Sequence, residues 1–447
     1  MLRDEQIYKI RLTINQRGIK MQCRLPSLLI SVALLIVLVG CKSNPILVLQ
    51  NNPGGKAVNY GNSYFVAEMP GDARPNDATI SLYAKGRQNF FNTLQAKGEF
   101  YTIKPKGNAE PFKYQENSES RHLETQMTNG FLLSYLFYDD GVIKYDALPD
   151  RGRIEPEVTD KTLFFTHSTG KSIVSYIAGH ALCEGFISSI NEPIDWPLMS
   201  GTLYQGQPLI NLLNMQAGDS HTVDKSSTSY VMGSKTHHRD MDLTSIASLL
   251  EGTTPKDPKV FYNNFLSDVI ASYVAFRAGD KYPELLNYIF QDKVRIENEV
   301  HFQLHTLSSN GIYREQLQNR ASYSFMLTRK DLLRIGVAMM KDYQQQTCVG
   351  NYLRELQAQA KPWPKYAPSA DNSFLYAVRY ARKYGGQFYF DFSGMQGRNI
   401  VLTAGKNGQN ILMDMDNSRI VVTQSAATGW DRRAFLLDVI RDGQLQE

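Results

Sequence analysis

The order of strand-like and helical patterns along the chain constrains its fold more than any other feature. An apolar run over residues 131–138 stops at Asp139-Asp140-Gly141 and resumes over 142–145, which predicts a β-hairpin. Apolar residues at helical spacing follow in the middle of the chain, and short strand-like runs return in the last third. Strands, then helices, then strands again predict an α+β sandwich around an antiparallel sheet.

Most of the predicted helices have a recognisable start or stop. One begins at Ser168 and stops near Gly185, and another begins after Thr328, which is a suitable N-cap. Two more cover residues 209–215 and 265–276, and a last one covers 432–440. The predicted strands of the last third cover 388–390, 400–402, 411–413 and 420–423.

The first forty residues differ from the rest of the chain. They carry the whole formal net charge of +4, so the neutral remainder offers no concentrated basic face for nucleic acid. Arg24 precedes a 12-residue apolar run, 28–39, which is too short for a bilayer core of about 30 Å. A basic region before a short apolar run is typical of a secretory signal, and Met21 offers a second start.

Leu38-Val39-Gly40-Cys41 follows directly and resembles a bacterial lipoprotein box. The resemblance implies a signal peptide over 1–40 and a lipid on Cys41. The protein is then expected in the bacterial envelope, anchored in the outer membrane and facing the periplasm. The alternative is a membrane-spanning or uncleaved segment with an incidental cysteine. Cys183 and Cys348 belong to the body and could either pair or stay free thiols.

Ser168-Thr169-Gly170-Lys171 is the only SxxK sequence in the chain, and it opens a predicted helix. Residues three apart lie on one helix face, so the two side chains can meet. A serine hydroxyl is a weak nucleophile until a base takes its proton. Lys171 can be that base only if burial or cationic neighbours lower its pKa well below about 10.4. The alternative is an N-cap serine followed by a solvated lysine.

The sequence over 165–173 and 185–194 is similar to the first motif of the β-lactamase-related serine hydrolases. That family includes penicillin-binding proteins, class C β-lactamases and 6-aminohexanoate-dimer hydrolases. Similar segments at 212–218 and 328–336 extend the likeness from about residue 130 to the C-terminus. It implies a β-lactamase/transpeptidase-like fold with an all-helical subdomain. We therefore expect a signal peptide over 1–40, a tether and N-terminal extension over 41–120, and a hydrolase domain over 121–447.

The family's second motif, YxN, matches Tyr262-Asn263-Asn264, which lies downstream of Ser168 as in the family. The resemblance implies that Tyr262 shuttles the Ser168 proton and that Asn264 orients the substrate. A phenol can act as a base only with a lowered pKa, which Lys171 and Lys406 would supply if they converge on it.

The third motif, a strand-borne KTG, matches Lys406-Asn407-Gly408 with Asn in place of Thr. The resemblance implies that Lys406 and Gly408 contact substrate. It also implies that the Gln409 N–H forms the oxyanion hole together with the N–H of Ser168. Lys383-Tyr384-Gly385 competes for the third-motif role, and Lys406 is preferred because Gly-Gln before a strand resembles the amide-hydrolysing members.

These matches imply a serine hydrolase that forms an acyl-enzyme on a peptide or linear amide, an ester, a cell-wall peptide or a β-lactam, in decreasing order of expectation. The missing Thr weakens the antibiotic interpretation, and chemistry like that of class C enzymes is the better analogy. No cofactor is implied. The alternative is a catalytically inactive lipoprotein that keeps the penicillin-binding fold and serves as an envelope binding module.

Two other patterns carry less weight. Thr169-Gly170-Lys171-Ser172 matches the end of a P-loop, but Phe165 stands where that loop needs glycine. His301 and His305 have the spacing of a metal pair on a helix, but residues 300–304 alternate like a strand, so we expect no metal site.

Overall fold

The computed structural model describes residues 8–13, 20–25, 56–60, 64–68, 76–115, 120–223, 229–232, 235–238, 243–304, 312–313, 316–317, 321–365, 377–427 and 429–445. The chain divides into two compact units, residues 1–53 and 54–447. In the first unit, β1 (Tyr8–Thr13) and β2 (Lys20–Leu25) form an antiparallel hairpin. The apolar run 28–39 and Cys41 lie outside the described residues. Within the part that is described, no helix is long and apolar enough to cross a membrane.

The second unit contains the other described strands and the described α-helices. Its strands are β3 (Lys56–Tyr60), β4 (Tyr64–Glu68), β5 (Phe100–Ile103), β6 (Lys113–Tyr114), β7 (Leu132–Asp139), β8 (Val142–Ala147), β9 (Phe164–Phe165), β10 (Ser229–Met232), β11 (Lys235–His238), β12 (Val300–Gln303), β13 (Ile312–Tyr313), β14 (Gln316–Leu317), β15 (Met326–Leu327), β16 (Lys361–Pro362), β17 (Ala381–Gly385), β18 (Phe388–Phe392), β19 (Ile400–Gly405), β20 (Gln409–Asp414) and β21 (Arg419–Ser425). Its α-helices are α1 (Asp77–Ala96), α2 (Arg121–Asn129), α3 (Thr169–Cys183), α4 (Leu209–Leu213), α5 (Leu243–Leu250), α6 (Phe265–Ala278), α7 (Tyr282–Asn287), α8 (Ala321–Ser324), α9 (Arg329–Gln344), α10 (Cys348–Ala358) and α11 (Val439–Asp442).

The main sheet has nine strands in the order β16-β17-β18-β19-β20-β21-β7-β8-β6. Every neighbouring pair is antiparallel except β6 and β8. The predicted hairpin, β7 and β8, therefore joins the strands of the last third through β21. A smaller antiparallel sheet has the order β5-β12-β15-β9. The predicted α+β class and antiparallel sheet are confirmed.

Helices pack against the main sheet and against one another. Helix α9 lies so close to β20 and β21 that a Cβ on Gly336 would be 2.9 Å from Ile411 Cγ2. Helix α3 is almost wholly buried and packs against α6, α8, α10 and β19. Helices α3, α4 and α6 share the large apolar core with the sheet, so the first turn of α3 is held between a helical layer and the sheet.

The predicted helix starts are confirmed, and their ends follow local geometry. The Thr328 hydroxyl caps α9 by accepting a hydrogen bond from the Asp331 N–H at 3.2 Å. Helix α4 ends at Leu213 rather than near 215 because Met215 has a left-handed backbone, with a φ of 57°. The last predicted helix is a π-helical segment, Arg433–Asp438, that continues into α11.

Part of the predicted tether and extension is an ordered part of the second unit. Helix α1 buries Ile80, Tyr83, Phe90, Phe91 and Leu94, which recur at helical spacing. Strand β5 pairs with β12 and β6 pairs with β8, so residues before 121 add strands to both sheets. The described part of residues 76–115 thus belongs to the same compact unit as the predicted hydrolase domain.

A disulfide joins Cys183, the last residue of α3, to Cys348, the first residue of α10. The two Cα atoms are 5.8 Å apart and the residues are separated by 165 positions in sequence. The pairing that the sequence left open is therefore made. It ties the helix that begins next to Ser168 to the helix that follows α9.

Candidate active site

Ser168 lies at the turn between β9 and α3, where the backbone changes from strand to helix. His167, immediately before it, has a φ of 48°, which is uncommon for a residue other than glycine and typical of functional turns. Ser168 itself is half-buried. A Cβ on Gly170 would be 2.7 Å from the Ala321 carbonyl oxygen, so the first turn of α3 can pack on α8 only with glycine there.

Lys171 is buried and its ammonium nitrogen lies 3.1 Å from Ser168 Oγ. The same nitrogen donates to Asn264 Oδ1 and, at 3.3 Å, to the Ser322 carbonyl oxygen. Burial lowers the pKa of Lys171 from 10.5 to about 7, against the opposing effect of the Asp268 carboxylate. A large fraction of Lys171 is therefore neutral at neutral pH, and the alternative of a solvated lysine is excluded.

The Tyr262 ring centroid is 5.0 Å from Lys171 Nζ, and the Ser168 hydroxyl acts on the Tyr262 phenol. The Tyr389 hydroxyl also acts on the Tyr262 phenol. Burial raises the pKa of Tyr262 to about 12, although the Ser168 and Tyr389 hydroxyls act to lower it. The expectation of a pKa lowered by nearby lysines is therefore wrong, and the phenol keeps its proton in the resting site.

The two asparagines after Tyr262 have different positions. Asn264 points to Lys171, as its hydrogen bond shows, and is the residue from which α6 begins. Asn263 turns the other way: its Nδ2 donates to Asp219 Oδ2 at 3.0 Å and its Oδ1 accepts from the Leu266 N–H. The structure therefore brings Ser168, Lys171, Tyr262 and Asn264 together, as the second motif predicted.

The Lys406–Gly408 turn connects β19 and β20 and lies against the start of α3. The Gln409 carbonyl oxygen accepts a hydrogen bond from Thr169 Oγ1 at 2.6 Å. A Cβ on Gly405 would overlap the Thr166 carbonyl oxygen, so the two segments are in close contact. Gly408 has a φ of +95°, and a Cβ there would lie 2.9 Å from the Trp430 ring, so a larger residue does not fit.

Lys406 and Gln409 differ in exposure. The Lys406 side chain is exposed, and its positive charge acts on His167. The Gln409 side chain is buried and donates through Nε2 to the Ser425 carbonyl oxygen at 2.6 Å, so only its backbone is available near Ser168. The competing motif, Lys383-Tyr384-Gly385, lies in β17, and its Tyr384 ring is 5.7 Å from the Tyr262 ring.

An arginine from the N-terminal extension also reaches this site. Arg87 Nη2 lies 3.2 Å from His167 Nε2, and its guanidinium stacks over the Phe165 ring at 4.8 Å. Burial lowers the pKa of His167 well below its usual range, and the charges of Arg87, Lys406 and Lys171 lower it further. His167 is thus a neutral imidazole that accepts from Arg87 through Nε2.

Sequence reasoning missed Arg87, Asp268 and Tyr389 near the site. The apolar spacing of α1 could have revealed the helix that carries Arg87, but nothing in the sequence placed it beside His167. His301, the other histidine considered, lies in β12 with its Nδ1 2.9 Å from Thr102 Oγ1. His305 lies outside the described residues.

Comparison with known proteins supports the fold. No family model and no curated protein matches the chain in sequence. Among solved structures it is similar to a protein provisionally named as a 6-aminohexanoate-dimer hydrolase from Bacillus anthracis, with a TM-score of 0.54 and 12% identity over 82% of this chain and 94% of that one. It is also similar to FmtA from Staphylococcus aureus, with a TM-score of 0.50 and 14% identity over 80% and 96% of the two chains. The α+β fold is therefore the predicted β-lactamase/transpeptidase-like one.

Proposed function

We propose that this chain is a serine hydrolase that forms an acyl-enzyme on Ser168. The observation that carries the proposal is the buried Lys171, whose Nζ lies 3.1 Å from Ser168 Oγ and whose pKa is about 7. At pH 7 such a lysine is neutral in about half of the molecules, whereas a lysine of ordinary pKa is neutral in about one molecule in a few thousand. A neutral amine at this distance is a competent general base.

In the first step, Lys171 accepts the Ser168 proton while Oγ forms a bond to the substrate carbonyl carbon. We propose that the backbone N–H groups of Ser168 and Gln409 donate hydrogen bonds to the resulting oxyanion. As the intermediate collapses, the bond to the leaving nitrogen or oxygen breaks, and that atom takes the Tyr262 proton. The phenolate then recovers a proton from the Lys171 ammonium. Water attacks the acyl-enzyme, releases the acid and returns a proton to Ser168 Oγ.

This division of roles follows from the two pKa shifts. A group with a pKa of about 7 is a base at neutral pH, and a phenol with a pKa of about 12 is an acid for a strongly basic leaving group. Amides and alkyl esters have such leaving groups. The geometry thus favours a peptide, a linear amide or an ester as substrate.

The third motif supports the same substrate class. Lys406 is exposed at the rim of the site, where its charge can attract an anionic or polar substrate end. Asn407 replaces the threonine hydroxyl that β-lactam-binding members use, so we place β-lactams last. The structural neighbour from Bacillus anthracis is named for a 6-aminohexanoate dimer and not for a β-lactam, which agrees with this order.

We also propose that the protein is a bacterial lipoprotein anchored through Cys41 and facing the periplasm. The apolar run 28–39 before Cys41 supports it, and so does the Cys183–Cys348 disulfide, since disulfides persist mainly in exported proteins. Expression in a bacterium with radiolabelled palmitate should label the wild-type protein and not the Cys41→Ala variant. Equal labelling of both, or of neither, would contradict the anchor.

The test of the hydrolase proposal is covalent labelling of the full chain in detergent with a fluorophosphonate probe, followed by intact-mass measurement. We expect one adduct, lost in Ser168→Ala and retained in Ser200→Ala, a matched change at an exposed serine. Absence of an adduct on folded wild-type protein would refute the proposal. That result would favour the inactive envelope binding module instead.

A further inference from the structure

Tyr262 and Asn264 lie beside Lys171, and the residue between them faces away from the site. The Tyr262 ring centroid is 5.0 Å from Lys171 Nζ, and Asn264 Oδ1 accepts a hydrogen bond from the same nitrogen. Both residues are half-buried, whereas Asn263 is buried. A residue that holds Asn263 can therefore fix both of its neighbours without contact with the site.

The Asn263 side chain makes hydrogen bonds through both ends of its amide. Its Oδ1 accepts from the Leu266 N–H at 3.0 Å and so satisfies an N–H of the first turn of α6. Its Nδ2 donates to Asp219 Oδ2 at 3.0 Å and to the Phe261 carbonyl oxygen at 3.2 Å. Since the oxygen faces a donor and the nitrogen faces two acceptors, the orientation of this amide is fixed.

Asp219 belongs to the segment that follows α4. Its carboxylate is buried and also accepts from the Tyr204 hydroxyl at 2.9 Å, through the same oxygen that Asn263 contacts. The backbone adds another contact, since the Met215 carbonyl oxygen accepts from the Phe261 N–H at 2.8 Å. The segment after α4 is therefore joined to the segment before α6 once through the backbone and once through side chains.

We propose that Asp219 is a positioning residue that acts on the active site through Asn263. A hydrogen bond to a carboxylate is stronger than one between neutral groups, so it limits movement of the backbone that carries Tyr262 and Asn264. Asn264 must keep its Oδ1 at the Lys171 ammonium, and displacement of a catalytic group by about 1 Å can cost about a hundredfold in rate. This inference rests on the proposed acyl-enzyme function.

The experiment measures the rate constant of fluorophosphonate labelling of the full chain in detergent at pH 8. Burial raises the pKa of Asp219 to about 6, so the carboxylate is ionised in this assay. Leucine has the branched shape of aspartate but accepts no hydrogen bond, so Asp219→Leu should slow labelling about tenfold or more. Asparagine keeps an oxygen that can accept from Asn263, so Asp219→Asn should slow labelling less than about threefold.

Tyr204→Phe is the matched control. It removes the other hydrogen bond to the same carboxylate oxygen and leaves the bond from Asn263 in place. Thermal denaturation should show a loss of stability in Tyr204→Phe, but its labelling rate constant should change less than about twofold. A residue with a merely structural role would affect stability in both variants and the rate constant in neither.

A second variant tests the contact from the other side in case Asp219→Leu does not fold. Asn263→Ser keeps an oxygen that can accept from the Leu266 N–H but is too short to reach Asp219, so labelling should slow about tenfold or more. Rate constants are compared at a temperature at which circular dichroism shows each variant to be folded. An unchanged rate constant in folded Asp219→Leu or Asn263→Ser, or an equal loss in Tyr204→Phe, would overturn the role of Asp219.

The outcome separates this inference from the proposed function. If the wild-type protein takes the label at Ser168 and the folded Asp219→Leu variant takes it at the same rate, the positioning role alone fails. If the folded wild-type protein takes no label, the proposed function fails, and the role of Asp219 fails with it.

Discussion

Burial of Lys171 should make the stability of the fold depend on pH in a way that Lys171→Met removes. The unfolded chain holds the lysine proton up to about pH 10.4, and the folded chain releases it near pH 7. Between these values the unfolded state binds one more proton, so the free energy of unfolding rises with pH. Below pH 7 both states are protonated, and the folded state then bears the full cost of the buried charge.

The size of the effect follows from the shift. Full separation of the two pKa values corresponds to about 5 kcal/mol, at 1.36 kcal/mol per pKa unit. Between pH 7 and pH 9 the free energy of unfolding of the wild-type protein should rise by about 2 kcal/mol relative to Lys171→Met, because at pH 7 half of the folded molecules have already lost the proton. Methionine keeps an unbranched apolar stem and cannot titrate.

The assay is urea denaturation of both proteins at pH 7, 8 and 9. Other titrating groups are shared, so the difference between the two curves isolates Lys171. Lys281→Met, which changes an exposed lysine, should follow the wild-type curve. Parallel pH dependence in wild type and Lys171→Met would refute the claim that Lys171 is buried with a depressed pKa.

Three further changes should have distinct results. In Asp268→Asn, loss of the opposing negative charge should lower the Lys171 pKa further and move the midpoint of the pH–rate profile down by roughly one unit; an upward shift would contradict the account. In the double variant Cys183→Ser/Cys348→Ser, thermal denaturation should show a loss of about 2–5 kcal/mol, which dithiothreitol reproduces in wild type and does not deepen in the variant. In Gly405→Ala, the new methyl group should displace the segment before the nucleophile and lower the stability by about 1–3 kcal/mol. Fluorophosphonate labelling should slow even under conditions in which the variant is fully folded. A normal labelling rate would show that the contact is not tight.

Local patterns predicted the parts of the fold that depend on neighbouring residues. The hairpin 132–147 follows from two apolar runs on either side of a Gly turn, and α9 follows from apolar periodicity after the Thr328 cap. The helix at Ser168 follows from the same periodicity. In each case the residues that decide the element lie within about fifteen positions of one another.

Composition alone conceals a helix in the N-terminal extension. Residues 42–120 are rich in Asn, Gly, Pro and Lys, but the apolar spacing within Asp77–Ala96 is present in the sequence. That spacing includes Arg87, a charged residue in the stripe, which lowers the apparent amphipathicity. Its place in the stripe is explained by the contact with His167, which only the tertiary structure shows.

The convergence of Lys171, Tyr262 and Asn264 on Ser168 could be predicted, but the electrostatics around them could not. The resemblance to a known family was needed to connect Ser168 with Tyr262, because no spacing rule relates residues so far apart. The raised pKa of Tyr262 depends on burial among rings from β17, β18 and Trp363, all about 100 positions or more downstream. Desolvation of this kind is set by packing, which a sequence motif does not describe.

The measurement that tests the central claim most directly is the rate of fluorophosphonate labelling of Ser168 from pH 5 to pH 9. Fluoride needs no proton to leave, so the rate reports the base alone. We predict a rate that rises with pH through a single midpoint near 7, the pKa of Lys171, and a low rate without that midpoint in Lys171→Met. A rate that does not change with pH, or a midpoint that persists in Lys171→Met, would contradict the account.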